Sequence, residues 1–121
     1  MIVNMCFGTQ DLERAGQFYD SVLGAAGMAR TGASERSIYY GSSTGAGFAV
    51  TLPFDGEPAT RGNGTMATIG AADRATVDRM HEAALASGGT CEGPPGARAN
   101  GYYVAYWRDP DGNKMNAVAL G

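Results

Sequence analysis

Histidine occurs once in these 121 residues, at position 81, and cysteine twice, at positions 6 and 91. Cys6 and Cys91 have no metal-type spacing, and each lies in a probable strand, where a thiol acts as a small hydrophobe, so both are expected to be reduced. Apolar runs never exceed a few residues, and a strand begins at the initiator methionine. Neither a signal peptide nor a membrane span is therefore predicted, and a cytoplasmic protein is the expectation. Lys and Arg number only nine, scattered rather than striped, and the formal charge is −3. That balance argues against a nucleic-acid surface, and it favours a neutral or cationic ligand over an anion. Glycine, by contrast, is plentiful at nineteen residues, mostly at probable element ends. A chain that is 44% hydrophobic and 17% charged fits one compact unit spanning 1–121, with little room for a second domain.

Residues 102–120 read as a β-hairpin. In Asp109-Pro110-Asp111-Gly112-Asn113, Pro supplies the φ of about −65° that a type I turn needs, and Gly the left-handed position after it. A three-residue loop makes Asp109 and Asn113 the closing pair. Arg108 then faces Lys114, Tyr106 faces Asn116 and Val104 faces Val118, all on one side. Alternation puts Ala105, Trp107, Met115 and Ala117 on the other side, the one a helix would cover. The first side, with Tyr106, Asn116 and two cations, is too polar for ordinary core and predicts the lining of a cavity.

Residues 2–7 read as a strand ended by Gly8. Residues 11–23 read as a helix capped by Asp11 and ended by Gly24, with Leu12, Ala15, Tyr19, Val22 and Leu23 on one stripe. Short strands are expected at 26–30, 36–40 and 47–52. After a linker, 53–64, the same order begins again. A strand at 65–69 ends at Gly70. A helix capped by Asp73 turns Val77, Met80, His81, Ala84 and Leu85 inward and stops at Gly88-Gly89. A strand at 90–92, an irregular Gly/Pro loop and the hairpin follow. A shift of 62 residues superposes Gly8 on Gly70, Asp11 on Asp73, Leu23 on Leu85 and Gly27 on Gly89. The fold expected is α+β, built from two tandem βαβββ modules, roughly 1–52 and 65–121, whose sheets curve around a shared concavity.

Three stretches carry a resemblance: Asp11-Leu12-Glu13-Arg14 with Phe18-Tyr19 and Leu23-Gly24; Gly62-Asn63-Gly64-Thr65; and Arg108 through Lys114. Through them the chain resembles, over essentially its whole length, the vicinal oxygen chelate superfamily of glyoxalase I, extradiol dioxygenases and bleomycin-resistance proteins. The resemblance implies an open, barrel-like sheet with helices outside. In the enzymes of the family it also implies a divalent metal that substrates chelate through adjacent oxygens. The family's ligands, typically His, Glu or Gln, His and Glu, match Asn4, Thr51, Met66 and Asn116 here. Carboxamides and a thioether lack the anionic and imidazole donors that hold Mn, Fe, Ni or Zn, so neither metal nor other cofactor is expected. A homodimer is implied as well, since pairing covers strand edges and apolar area.

The ligand-binding face is expected to carry Asn4, Cys6, Met66, Thr68, Tyr106 and Asn116, with Arg98 and Asn100 near its mouth. Cys6 shares the face of Asn4 and reads first as structural filler, second as a cavity thiol. His81 reads as a packing residue of the second helix, and Arg108 and Lys114 as a solvated hairpin end. No catalytic residue is assigned. The function expected is binding of a small, partly aromatic molecule, in the manner of the bleomycin-resistance branch, without nucleic acid or membrane as partner. One alternative is a glyoxalase-, lyase- or dioxygenase-type enzyme acting on a small oxygenated substrate, through unorthodox ligands or without metal through Tyr106 or Cys6. Another is a dimeric interaction protein whose cavity has closed.

Overall fold

A computed structural model describes residues 1–42 and 45–120. The elements run β1 (Asn4–Gly8), α1 (Leu12–Ala25), β2 (Ala29–Ala33), β3 (Ser37–Gly41), β4 (Gly47–Thr51), β5 (Met66–Gly70), α2 (Arg74–Ala86), β6 (Thr90–Ala97), β7 (Tyr102–Arg108) and β8 (Lys114–Leu120). They form an α+β fold of two four-stranded mixed sheets, ordered β1-β4-β3-β2 and β5-β8-β7-β6. In each sheet the module's first strand lies parallel to its last, and the remaining pairs are antiparallel. The repeat is thus a βαβββ unit used twice, and the sheets do not close into a barrel.

The hairpin has the register that its turn dictates. Arg108 pairs with Lys114, Tyr106 with Asn116 and Val104 with Val118. Asp109 N donates to Asn113 O at 2.9 Å, and Gly112 takes the left-handed φ of 92° that the turn requires. Ala105, Trp107, Met115 and Ala117 on the opposite side are fully buried. Both helix caps are also as read. Asp11 Oδ1 accepts from Arg14 N at 3.0 Å. Asp73 Oδ1 accepts from the Thr76 hydroxyl and from Thr76 N, and these bonds lower its carboxyl pKa.

Several boundaries differ from the sequence reading. Helix α1 does not end at Gly24 but continues to Ala25, and Gly27, at φ 83°, makes the left-handed turn while Met28 N bonds back to Leu23 O. β2 accordingly starts three residues later than expected. Leu85 is 43% exposed and lies off the inward stripe of α2. The expected strand at 90–92 and its Gly/Pro loop form one bulged strand, β6, which holds register with β7 as far as Ala97. Its prolines are compatible with pairing because β6 is an edge, where one side of the backbone needs no donor.

One buried cluster draws on both helices and both sheets. The modules are joined where α1 meets the last hairpin. Asp109 is buried and accepts four hydrogen bonds, from Tyr19 OH at 2.5 Å and, each at 2.9 Å, from Asp111 N, Asn113 N and Asn113 Nδ2. Asn113 Nδ2 also donates to Gly8 O, and Asp111 accepts from Thr9, Gln10 and Arg14.

Candidate functional site

On the side of the second sheet turned away from α2, cross-strand partners line up in rows. Thr68, Asn116 and Tyr106 form one row across β5, β8 and β7, and Met66, Lys114 and Arg108 form the next. Asn116 sits at the centre, only 4% exposed, and its side-chain Oδ1 has no hydrogen-bond partner. A buried carbonyl left in this state forgoes a bond that is costly to lose, and because the atom itself is covered, a donor reaches it only by displacing the side chains around it. Two cations flank the neighbouring ring. The Arg98 guanidinium lies 5.6 Å from the centre of Tyr106, and Lys114 Nζ lies 5.5 Å from it. Arg98 is braced by hydrogen bonds to the carbonyls of Gly96 and Pro94. Neither cation belongs to an ion pair among the described residues, whereas Arg108 is held by Glu92 at 2.9 Å.

Asn4, Cys6 and Asn100 lie off these rows. Asn4 and Cys6 are exposed on the open side of the first sheet. Cys6 borders a small cavity of about 160 Å³ together with Thr65, Asn113 and Lys114. Met66 and Thr68 border a larger groove of about 710 Å³ with Ile2, Met5, Met28 and Phe48. Asn100 shapes the β6–β7 turn by accepting from Tyr102 N at 3.0 Å. Both cysteines are free and exposed, so the expectation of thiols acting as apolar filler is not met. His81 is buried on α2 as a packing residue would be, and its Nε2 meets Cys91 Sγ at 3.2 Å. Sequence reasoning missed that contact, and it missed Lys114 as a neighbour of Tyr106, although the hairpin register already put both on one face.

The sequence model of the Glyoxalase/Bleomycin resistance protein/Dioxygenase superfamily matches residues 2–116. The chain belongs to that superfamily. Its fold matches a glyoxalase/bleomycin resistance protein from Albidiferax ferrireducens T118 at 40% identity and a TM-score of 0.94, covering 100% of this chain and 99% of that one. At 20% identity and a TM-score of 0.71 it shares its fold with the fosfomycin resistance protein FosX from Mesorhizobium loti, covering 100% and 92% of the two chains. Lactoylglutathione lyase from Agrobacterium tumefaciens gives 21% identity and a TM-score of 0.70 over 98% and 92%. No curated protein matches the chain.

Enzymes of this glyoxalase-type superfamily hold a divalent metal, and the residues at the four matching positions do not fit one. Asn4 and Asn116 offer neutral carbonyls and Met66 a thioether. The Thr51 hydroxyl is already engaged with Ser37 Oγ at 2.6 Å and with the carbonyls of Arg36 and Leu52. Among the described residues no group of three or more His, Cys, Asp or Glu is placed to hold an ion. The face around Asn116 can instead stack on a ring, neutralise an anion and accept one hydrogen bond.

Proposed function

We propose that this superfamily member binds a small aromatic molecule on the open face around Tyr106 and Asn116, without a divalent ion and as a homodimer. The observation that carries the reading is the buried, unpartnered Asn116 Oδ1 beside a ring flanked by two cations. A ligand that fits has a flat ring for Tyr106, an anionic group for Arg98 and Lys114, and a hydroxyl or amine to donate to Asn116. Phenolic acids combine all three. The net charge of −3 argues the other way, but a local pair of cations within a few ångströms outweighs a distant average screened by salt.

Calorimetric titration with para-hydroxybenzoate tests the ligand class. Saturable binding that Asn116→Ala or Lys114→Ala weakens at least about tenfold supports it, whereas titration heats indistinguishable from dilution would sink it. Titration with Zn, Mn, Ni and Fe(II) tests the metal. Tight stoichiometric uptake abolished by Asn4→Ala or Asn116→Ala would favour the glyoxalase-, lyase- or dioxygenase-type alternative. The combined variant Asn4→His, Met66→His and Asn116→Glu is expected to gain affinity for Zn if the open faces of the two sheets meet, within one chain or across the dimer, so that the three donors converge on one ion.

A further inference from the structure

Cys91 lies on edge strand β6 opposite Trp107, so its side chain leaves the sheet on the side that α2 covers, away from Tyr106. His81 reaches it from α2, with Nε2 and Sγ 3.2 Å apart. The two partners differ in exposure. Cys91 is a free thiol open to solvent, while the imidazole is only 8% exposed. Burial lowers the pKa of His81, so the ring is neutral near pH 7 and Nε2 can accept a proton. Asp78, one turn earlier on α2, opposes that shift and stabilises the imidazolium once it forms. Asp78 is itself held by the Tyr103 hydroxyl at 2.6 Å from β7, with Arg74 over the Tyr103 ring.

We propose that Cys91 and His81 form a thiol-exchange site that takes low-molecular-weight disulfides. His81 Nε2 removes the Cys91 proton as Sγ attacks one sulfur of the disulfide. A new S–S bond joins the small molecule to Cys91, the old S–S bond breaks, and the departing thiolate takes its proton back from the imidazolium. Thiol and disulfide are exchanged without any other oxidant. Cys6, also exposed, has no imidazole beside it, since the chain's one histidine is spent on Cys91.

Reaction with dithiobis-nitrobenzoate, followed by the coloured thiolate it releases, tests this on the folded chain. Cys6→Ser isolates Cys91, and Cys91→Ser isolates Cys6. At neutral pH Cys91 is expected to react at least about tenfold faster than Cys6, and His81→Gln is expected to remove that advantage while leaving the Cys6 rate unchanged. Peptide mass analysis is expected to place the adduct at position 91. The pH profile of the Cys91 rate between about pH 5 and 9 should show a second inflection below the ordinary imidazole range, absent in His81→Gln. Equal rates at the two cysteines, or a His81→Gln protein whose Cys91 is undiminished, would overturn the proposal. Should His81→Gln not fold, the profile of the Cys6→Ser protein decides alone, because a single inflection in the thiol range also overturns it.

Discussion

At the scale of single residues, the sharpest energetic consequence lies in the bond between Tyr19 and Asp109. The Tyr19 ring also packs on Phe18 and Phe48, with centres 5.0 and 4.9 Å away, so Tyr19→Phe keeps the packing and removes one of four donors to a buried carboxylate. A loss of about 2 kcal/mol is expected in urea unfolding, the range for a hydrogen bond to a charged group. Burial first, and the Asp109 charge second, push the phenol pKa of Tyr19 well above its ordinary 10.0. The folded state therefore holds that proton more tightly than the unfolded one does. Its contribution is complete below pH 10.0 and is lost as pH rises towards the folded value, so stability should fall on the alkaline side. Tyr40, raised by burial and by Asp20, adds to the same slope, and Tyr19→Phe should make the slope shallower. Neither this bond nor the one between His81 and Cys91 could be read from the sequence. Tyr19 and Asp109 are 90 positions apart, and each was visible only as part of a separate motif. The pairing of Tyr106 with Asn116 was legible, because a turn of known length fixes which residues stand opposite.

At the scale of elements, glycines separate what the sequence reveals from what packing decides. Gly24 was read as the end of α1, but it is an exposed position inside the helix, where an added Cβ meets nothing within 4 Å. Gly24→Ala should stabilise the protein by about 0.5–1 kcal/mol, the difference in helix propensity. Gly89 is the opposite case. A Cβ there would sit 2.6 Å from Arg108 O, 2.8 Å from Ala84 O and 2.9 Å from Phe18, and two of those neighbours are backbone. Gly89→Ala should cost about 2–3 kcal/mol, and thermal melting of the two variants should show shifts of opposite sign. A gain in melting temperature for Gly89→Ala would mean that α1, α2 and β6 are less tightly joined than described. The caps, the hairpin and the repeat were legible because each is local chemistry. The true length of β6 was not, because Pro94 and Pro95 signal a loop until the strand is known to be an edge.

At the scale of the molecule, β1 and β5 each have one sheet neighbour, and the apolar residues near them are open: Ile2 is 78%, Val3 71% and Met66 40% exposed. A second copy covering this surface is the arrangement expected in solution. Sedimentation at micromolar concentration should give twice 12.5 kDa, and Met66→Lys should shift the population towards monomer. A wild-type protein that sediments only as a monomer would remove the dimer from the proposed function. Among the described residues no helix is long and apolar enough to cross a membrane. The order of strands also has a meaning in time. On a ribosome, α1 is complete long before Asp109 exists, and β5 is made before β8, its only neighbour in the sheet. At 5–20 residues per second, Tyr19 waits on the order of ten seconds for its partner. The last strand to be made is therefore the one that finishes the second sheet, and a nascent chain stalled before Asp109 should be held open to chaperones and proteases with β5 unpaired and its first helix unclamped.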